Sequence, residues 1–273
     1  MARLILPNGK SVRKPFPKIW IVLGVLGVLV YAFVRVIRLD PGLNPEYFRP
    51  DQILILVKRM FVPSGTRTWE DYFKYALKLK NPLLQTVKMC LAGTLLGTLL
   101  AIPYAILCAK NITKRREIYV GFRTLLNLIR TIPVIVLAIL AVMFVGTGVL
   151  SGIIALTLFT FGIMAKMLFE VIETVDMNPY EALESTGAGK LTSFRYAIVP
   201  QIAPLFVSYF LYILEMNIRS SAILSFVGAE GLGSVISDNI LYDYNKVGMA
   251  VIVLMVLVLL IQSLSGLARR RLT

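Results

Sequence analysis

The chain has 273 residues, of which 57% are hydrophobic, and it carries a formal net charge of +14. Together with its mean hydropathy of +0.76, this apolar content is far more than a soluble protein needs to form its core. The composition therefore excludes an ordinary soluble domain. The basic residues flank apolar runs, which favours a role in membrane topology over the nucleic-acid binding that such a charge suggests. The sequence contains no histidine, so the commonest general base and metal ligand is missing.

The N-terminal region contains one predicted membrane span. Residues 19–34 are apolar, and Arg35, Arg38 and Asp40 follow them where a signal peptide would have a small-residue cleavage site. We therefore expect an uncleaved first span. Residues 39–81 then predict a long loop, because four prolines argue against regular structure. Its short apolar runs cannot cross a membrane and are expected to lie along the surface.

The rest of the sequence predicts five more spans. They occupy about residues 83–108, the two halves of the apolar stretch 131–169, residues 201–216 and residues 247–267. The stretch 131–169 is nearly twice the length of about 20 residues that one span needs, and glycines near residue 148 divide it. We therefore expect an all-α membrane protein in which residues 1–82 form a tail, one span and an extracytoplasmic loop. Residues 83–273 form a five-helix core.

The distribution of charge predicts the topology. Basic clusters at Lys110–Arg116 and Arg269–Arg271 mark the cytoplasmic side of a bacterial cell membrane. Six spans then place both termini and the polar loop 170–200 in the cytoplasm. The outer loop 39–81 is also basic, which the positive-inside rule does not explain.

The longest polar segment of the second half runs from Glu181 to Pro200 between two predicted spans. Glu181, Ala182 and Leu183 predict a helical turn, Gly187 and Gly189 predict a break, and a second helix is expected to end at Pro200. On physical grounds alone this helix–turn–helix is compatible with a simple connector.

The spacing of Glu181, Gly187 and Pro200 resembles the Glu-Ala-Ala loop of ABC-importer permeases. Leu183 replaces an alanine of that pattern, and Ala197 and Val199 stand where the family prefers isoleucine and leucine. The resemblance implies a type I importer fold in which Glu181, Ala182, Leu183, Gly187 and Pro200 belong to a cytoplasmic coupling helix that docks on an ATPase subunit.

The segment 217–244 is too polar to cross a membrane and too apolar for a free loop. Irregular backbone at membrane depth is tolerated where protein buries it or where it lines a watery cavity. This segment therefore predicts pore lining and a gate. The alternative is a surface loop with flexible glycines at Gly228, Gly231 and Gly233.

A second pattern resembles the phosphonate and phosphite importer permeases. The matching residues are Glu215, Asn217, Arg219, Val227, Gly228, Ala229, Gly231 and Gly233, together with Arg130-Thr131-Ile132-Pro133. Two residues depart from that pattern: Glu230 replaces a usual glycine, and Gln85 stands where a glutamate is common. The match covers about residue 83 to the end.

The resemblance implies a homodimeric permease in the lipid bilayer, working with two cytoplasmic ATPase subunits and an extracytoplasmic solute-binding protein. The implied cargo is a phosphonate, phosphite or related phosphorus oxyanion. ATP and Mg²⁺ belong to the partner ATPase, and no cofactor or metal is expected on this chain. A different solute is the main alternative; an ATP-independent channel or a scaffold subunit is another.

An anion that crosses a low-dielectric layer needs compensating positive charge. Arg219 and Lys88 are the candidates, and Glu215, Asn217, Glu230 and the three glycines complete the predicted pore and gate. Arg219 also has a structural interpretation, because Glu215 lies four residues before it on a helix. Lys88 has one as well, since its side chain can extend to the outer surface.

Other functions lack their motifs. The run Gly187-Ala188-Gly189-Lys190 is not a phosphate-binding loop, because Glu184 and Leu191 occupy positions that need glycine and a hydroxyl residue. A membrane-embedded enzyme has no support, since neither G-x-S-x-G nor H-E-x-x-H occurs. Cys90 and Cys108 lie in one span, about 27 Å apart along a helix, and cannot form a disulfide within the chain.

Overall fold

The computed structural model describes residues 3–5, 11–13, 18–39, 50–63 and 68–270. They belong to two units, Met1–Val57 and Lys58–Thr273. The first unit contains an antiparallel pair of three-residue strands, β1 (Arg3–Ile5) and β2 (Ser11–Arg13), and helix α1 (Lys18–Leu39). The strands are an exception to the predicted all-α chain. Helix α1 runs without interruption through the predicted first span.

The predicted loop 39–81 contains two helices, α2 (Pro50–Phe61) and α3 (Trp69–Lys78), so the expectation of no regular structure there was wrong. Pro50 is the first residue of α2, where its missing N–H costs no hydrogen bond. Helix α3 begins with a capping box, in which Thr68 Oγ1 accepts from the Asp71 N–H and the Asp71 carboxylate accepts from the Thr68 N–H. Local capping therefore outweighs the nearby prolines.

The remaining helices belong to the second unit. They are α4 (Lys80–Cys108), α5 (Arg116–Arg130), α6 (Val134–Val145), α7 (Val149–Thr174), α8 (Asn178–Ser185), α9 (Lys190–Ser193), α10 (Val199–Leu224), α11 (Leu232–Asn239) and α12 (Tyr244–Arg270). Four described helical segments are long and apolar enough to cross a membrane: α4, α7, Lys190–Val227 and α12. The pair α5–α6 gives a fifth when it is counted as one bent span.

Helices α4 and α7 form the centre of the second unit and approach closely because α4 has glycines in the contact. A Cβ atom on Gly93 would lie 2.6 Å from Leu156 Cβ, and one on Gly97 would lie 2.6 Å from the Thr157 carbonyl oxygen. Without a hydrophobic force between helices in lipid, such close packing is what holds membrane helices together. The two helices thus form the rigid centre on which α5, α6 and α10 pack.

The predicted third span is a broken one. The sequence placed it within residues 131–146, but α6 has 12 residues, too few to cross alone. Helix α5 precedes it, in the stretch between the predicted second and third spans, and the two helices meet at an angle of 86°. Pro133 stands just before α6 and disfavours helical conformation at Ile132, which explains the break.

Pro200 does not end a helix, contrary to the sequence prediction. Residues Phe194–Ile198 form a wider π-helical turn, in which the Val199 N–H bonds to the Phe194 carbonyl five residues earlier. This turn leads directly into α10, where Pro200 lies in the first turn and its missing N–H is tolerated. The helical segment Lys190–Val227 is therefore continuous.

The segment 217–244 is also more regular than predicted. Helix α10 continues to Leu224, a 3₁₀ turn covers Ser225–Val227, and α11 begins at Leu232. The irregular backbone is limited to two short turns: one between Val227 and Leu232, which has positive φ at Gly228 and Gly231, and one between α11 and α12 at residues 240–243. Packing of α10 against α4 and α7 outweighs the polar composition of residues 217–221.

Candidate functional site

The polar segment after α7 presents an exposed helix and turn. No residue of α8 is buried; Glu181 and Ala182 are exposed, and Leu183 is half-buried. Gly187 has a φ of +88°, which a side chain would strain, and the neighbouring Ala188 N–H bonds to the Leu183 carbonyl at 3.1 Å. The predicted turn is therefore present, with its helix free to contact another molecule.

Two sets of polar contacts hold the N-terminal side of this element. Gln201 pairs with the backbone of Asp176, donating to its carbonyl at 3.0 Å and accepting from its N–H at 3.0 Å. Glu173, at the end of α7, forms an ion pair with Arg123 of α5 and accepts from the Lys110 N–H at 2.8 Å. These contacts link the α7–α8 junction to α5, to α10 and to the residue that follows α4 by two positions.

The sequence analysis did not identify Arg123 and Gln201 as functional residues. Their partners lie 50 and 25 residues away in the chain, and no local pattern links them. Arg123 also donates to the Cys108 carbonyl at 2.8 Å and lies over the Phe169 ring. The signal available in the sequence was an arginine in the middle of α5 with Tyr119, Val120 and Leu126 one turn away.

Asn217 joins three helices inside the second unit. Its side chain is 0% exposed, and its amide nitrogen lies 2.8 Å from Thr94 Oγ1 on α4 and 2.8 Å from Thr160 Oγ1 on α7. The predicted pore residue thus makes a buried interhelical contact within this chain.

Glu215 and Arg219 form the i,i+4 ion pair that their spacing predicts. The Glu215 side chain is 11% exposed, whereas that of Arg219 is 54% exposed. Lys88 is exposed on α4. Arg219 and Lys88 are the two residues predicted to contact the anion. Of these, Arg219 has its positive charge offset by Glu215.

The glycine-rich turn lies against the first turns of α4. The Leu232 N–H donates to Thr86 Oγ1 at 2.8 Å, and a Cβ atom on Gly231 would lie 2.6 Å from the same oxygen. The Glu230 carboxylate accepts from Gln85 Nε2 at 2.8 Å. Gly228 accepts at its carbonyl from the Gly148 N–H at 2.9 Å. The structure thus brings together turn residues that the sequence analysis assigned to a gate.

Gly233 belongs to the same turn, at the start of α11. A Cβ atom there would lie 2.6 Å from the Ala222 carbonyl oxygen. The close approach of α11 to α10 therefore requires a glycine.

Several apolar helices of membrane-spanning length, with an exposed polar helix between two of them, define a multi-pass membrane protein. Residues 65–273 match the family described as binding-protein-dependent transport system inner membrane component, and the chain belongs to this family.

Two of the similar proteins are named as permeases of transport systems. The phosphate-import permease protein PhnE of Mycolicibacterium smegmatis is 35% identical over 251 residues, which cover 91% of this chain and 45% of that protein. The phosphite transport system permease protein PtxC of Stutzerimonas stutzeri is 31% identical over 208 residues, 76% of this chain and 72% of that protein. The chain thus spans less than half the length of the mycobacterial relative.

Solved structures show the same fold. An inward-facing form of the MetNI methionine ABC transporter matches with a TM-score of 0.66 and 24% identity, over 71% of this chain and 96% of that one. A bacterial ABC transporter involved in import of the acidic polysaccharide alginate matches with a TM-score of 0.57 and 18% identity. The match covers 94% of this chain and 99% of that one. At these identities the likeness concerns the fold alone.

Proposed function

We propose that this chain is the membrane-spanning permease of an ATP-driven, binding-protein-dependent importer for phosphonate, phosphite or a related phosphorus oxyanion. The observation that carries the proposal is the exposed helix α8 with its Gly187 turn, whose N-terminal side is joined to the spans through Glu173 and through the Gln201–Asp176 contact. The names of the similar permeases support the substrate class.

In this function α8 docks on a separate cytoplasmic ATPase, which supplies ATP and Mg²⁺. Closure of the ATPases moves α8, and the Glu173 and Gln201 contacts pass that movement to α4, α5 and α10. The spans thereby alternate between outward and inward access. A solute-binding protein delivers the anion from outside, and a second copy of this chain completes the pathway.

We further propose six spans per chain, with α1 as the first and the bent pair α5–α6 as the third. Both termini and α8 then lie in the cytoplasm. The outer ends of α4 and the turn at Gly228–Gly233 form the gate, and Glu215, Arg219 and Lys88 lie near the anion path.

The test is purification of the tagged chain from membranes, followed by identification of the proteins that co-purify and by uptake of methylphosphonate and phosphite. We expect an ATPase subunit and uptake that stops when ATP is depleted. Uptake that persists without ATP would favour a passive channel. Uptake of neither anion by an assembled, ATP-hydrolysing complex would favour a permease for another solute.

A further inference from the structure

The break between α5 and α6 places an arginine at an unusual depth. Arg130 is the last residue of α5, and Thr131–Pro133 separate it from α6. A Cβ atom on Gly162 would lie 2.9 Å from Arg130 Cγ, so the arginine stem packs directly on that glycine. Gly162 is the fourteenth of the 26 residues of α7 and lies about 18–20 Å along the helix from each end. Arg130 therefore lies beside the middle of α7.

The path of α5 supports this depth. Its Arg123 binds the Cys108 carbonyl and Glu173, which end the spans α4 and α7 on one side. Arg130 lies seven residues further along, about 10 Å from Arg123 along the axis of α5. Arg130 is thus well separated from the ends of α4 and α7 that Arg123 contacts.

The charge of Arg130 is not offset within the described part of the chain. Arg123, Lys166 and Arg219 each pair with a glutamate, but no described carboxylate forms an ion pair with Arg130. Its side chain is exposed on the isolated chain. Because a bare cation facing hydrocarbon is costly, intramembrane arginines face protein or a watery path and mark ion pathways.

A cavity lies beside it. Its volume is about 180 Å³, and Arg130 is the one charged residue among apolar lining residues that include Ile132, Leu158 and Phe159. A water molecule in the liquid occupies about 30 Å³. The cavity therefore has room for a small anion with part of its water shell.

We propose that Arg130 binds the transported phosphorus oxyanion midway across the membrane, at the break between α5 and α6. The proposal rests on the proposed function. A guanidinium group matches two oxygens of a phosphonate by paired hydrogen bonds. In the proposed homodimer, two copies of Arg130 balance the two charges of the dianion, which the Glu215-paired Arg219 does less well.

The test is equilibrium binding of radiolabelled methylphosphonate to the purified complex of permease and ATPase, without the solute-binding protein, together with uptake in cells. The variants are Arg130→Gln, Arg130→Lys and Gly162→Ala, which displaces the arginine stem without altering charge. Arg116→Gln is the matched control, since Arg116 begins the same helix and is exposed. Co-purified ATPase monitors assembly in every variant.

We expect Arg130→Gln to weaken binding at least about tenfold. It should also abolish the preference for the dianion over the monoanionic methyl ester of methylphosphonate, and Gly162→Ala should weaken binding as well. Arg130→Lys should retain the preference, and Arg116→Gln should behave as wild type.

Binding and uptake by assembled Arg130→Gln equal to wild type would overturn this inference and leave the proposed function intact. A wild-type complex that neither binds nor imports a phosphorus oxyanion would instead overturn the proposed function.

Discussion

Gln85 Nε2 donates a hydrogen bond to the Glu230 carboxylate at 2.8 Å across 145 positions of sequence. These residues are the two departures named above from the pattern of phosphonate and phosphite permeases. Gln85 lies on α4, and Glu230 lies in the turn after α10. The two departures are therefore a matched pair in space.

The contact between the turn and α4 depends on a buried hydrogen bond next to that pair. We expect Thr86→Val to lower the free energy of unfolding by about 1–3 kcal/mol, because the Leu232 N–H loses its acceptor inside the protein. Gln85→Ala is the control: it removes an exposed bond and should change stability by about 0.5 kcal/mol or less. Thermal unfolding in detergent measures both; equal losses would contradict the role assigned to Thr86.

The turn after α8 requires a left-handed conformation. We expect Gly187→Ala to cost about 1–2 kcal/mol, because its φ of +88° is strained for an alanine. The strain acts on the docking element, so less ATPase should co-purify. Gly189→Ala is the control, since Gly189 has a φ of −67° and a Cβ atom on either glycine would meet no neighbour within 4 Å. If the two variants recover the same amount of ATPase, the left-handed turn at Gly187 is not needed for docking.

The ion pair between Glu173 and Arg123 is expected to couple α8 to the spans. Glu173→Gln should weaken this contact by about 1–3 kcal/mol, since the Glu173 side chain is 14% exposed. ATPase recovery should remain, whereas anion imported per ATP hydrolysed should fall. Glu170→Gln removes a more exposed pair with Lys166 and should leave that ratio unchanged. A normal ratio in Glu173→Gln would show that the pair only stabilises the fold.

Asn217 is expected to stabilise the contact of α10 with α4 and α7. Asn217→Leu keeps the size and removes two interhelical hydrogen bonds, so the free energy of unfolding should fall by about 0.5–2 kcal/mol. Asn127→Leu makes the same change at an exposed position of α5 and serves as control. Denaturant titration of the purified chain compares the two, and an unchanged Asn217→Leu midpoint would contradict the contribution of these bonds.

Local pattern predicted most of the helices and missed others. Long apolar runs predicted α4, α7 and α12, because helix formation satisfies every backbone group in lipid without help from distant residues. Reasoning from long apolar runs missed α2, α3 and the break at Pro133. These features depend on capping and on proline geometry over three or four residues, not on a run of apolar residues. It also misjudged Pro200, because a π-helical turn accommodates a proline that an ordinary helix would not.

The sequence by itself determined the membrane class, the positions of the long spans and the Gly187 turn, since each depends on neighbours within a few residues. The tertiary structure alone decided which side chains meet. Asn217 bonds to residues on two other helices, Gln85 bonds to Glu230, and Arg130 lies against Gly162 in the middle of α7. Such contacts depend on how glycine-lined helices pack against one another, and this packing is set by the shape of whole helices rather than by any single stretch of sequence.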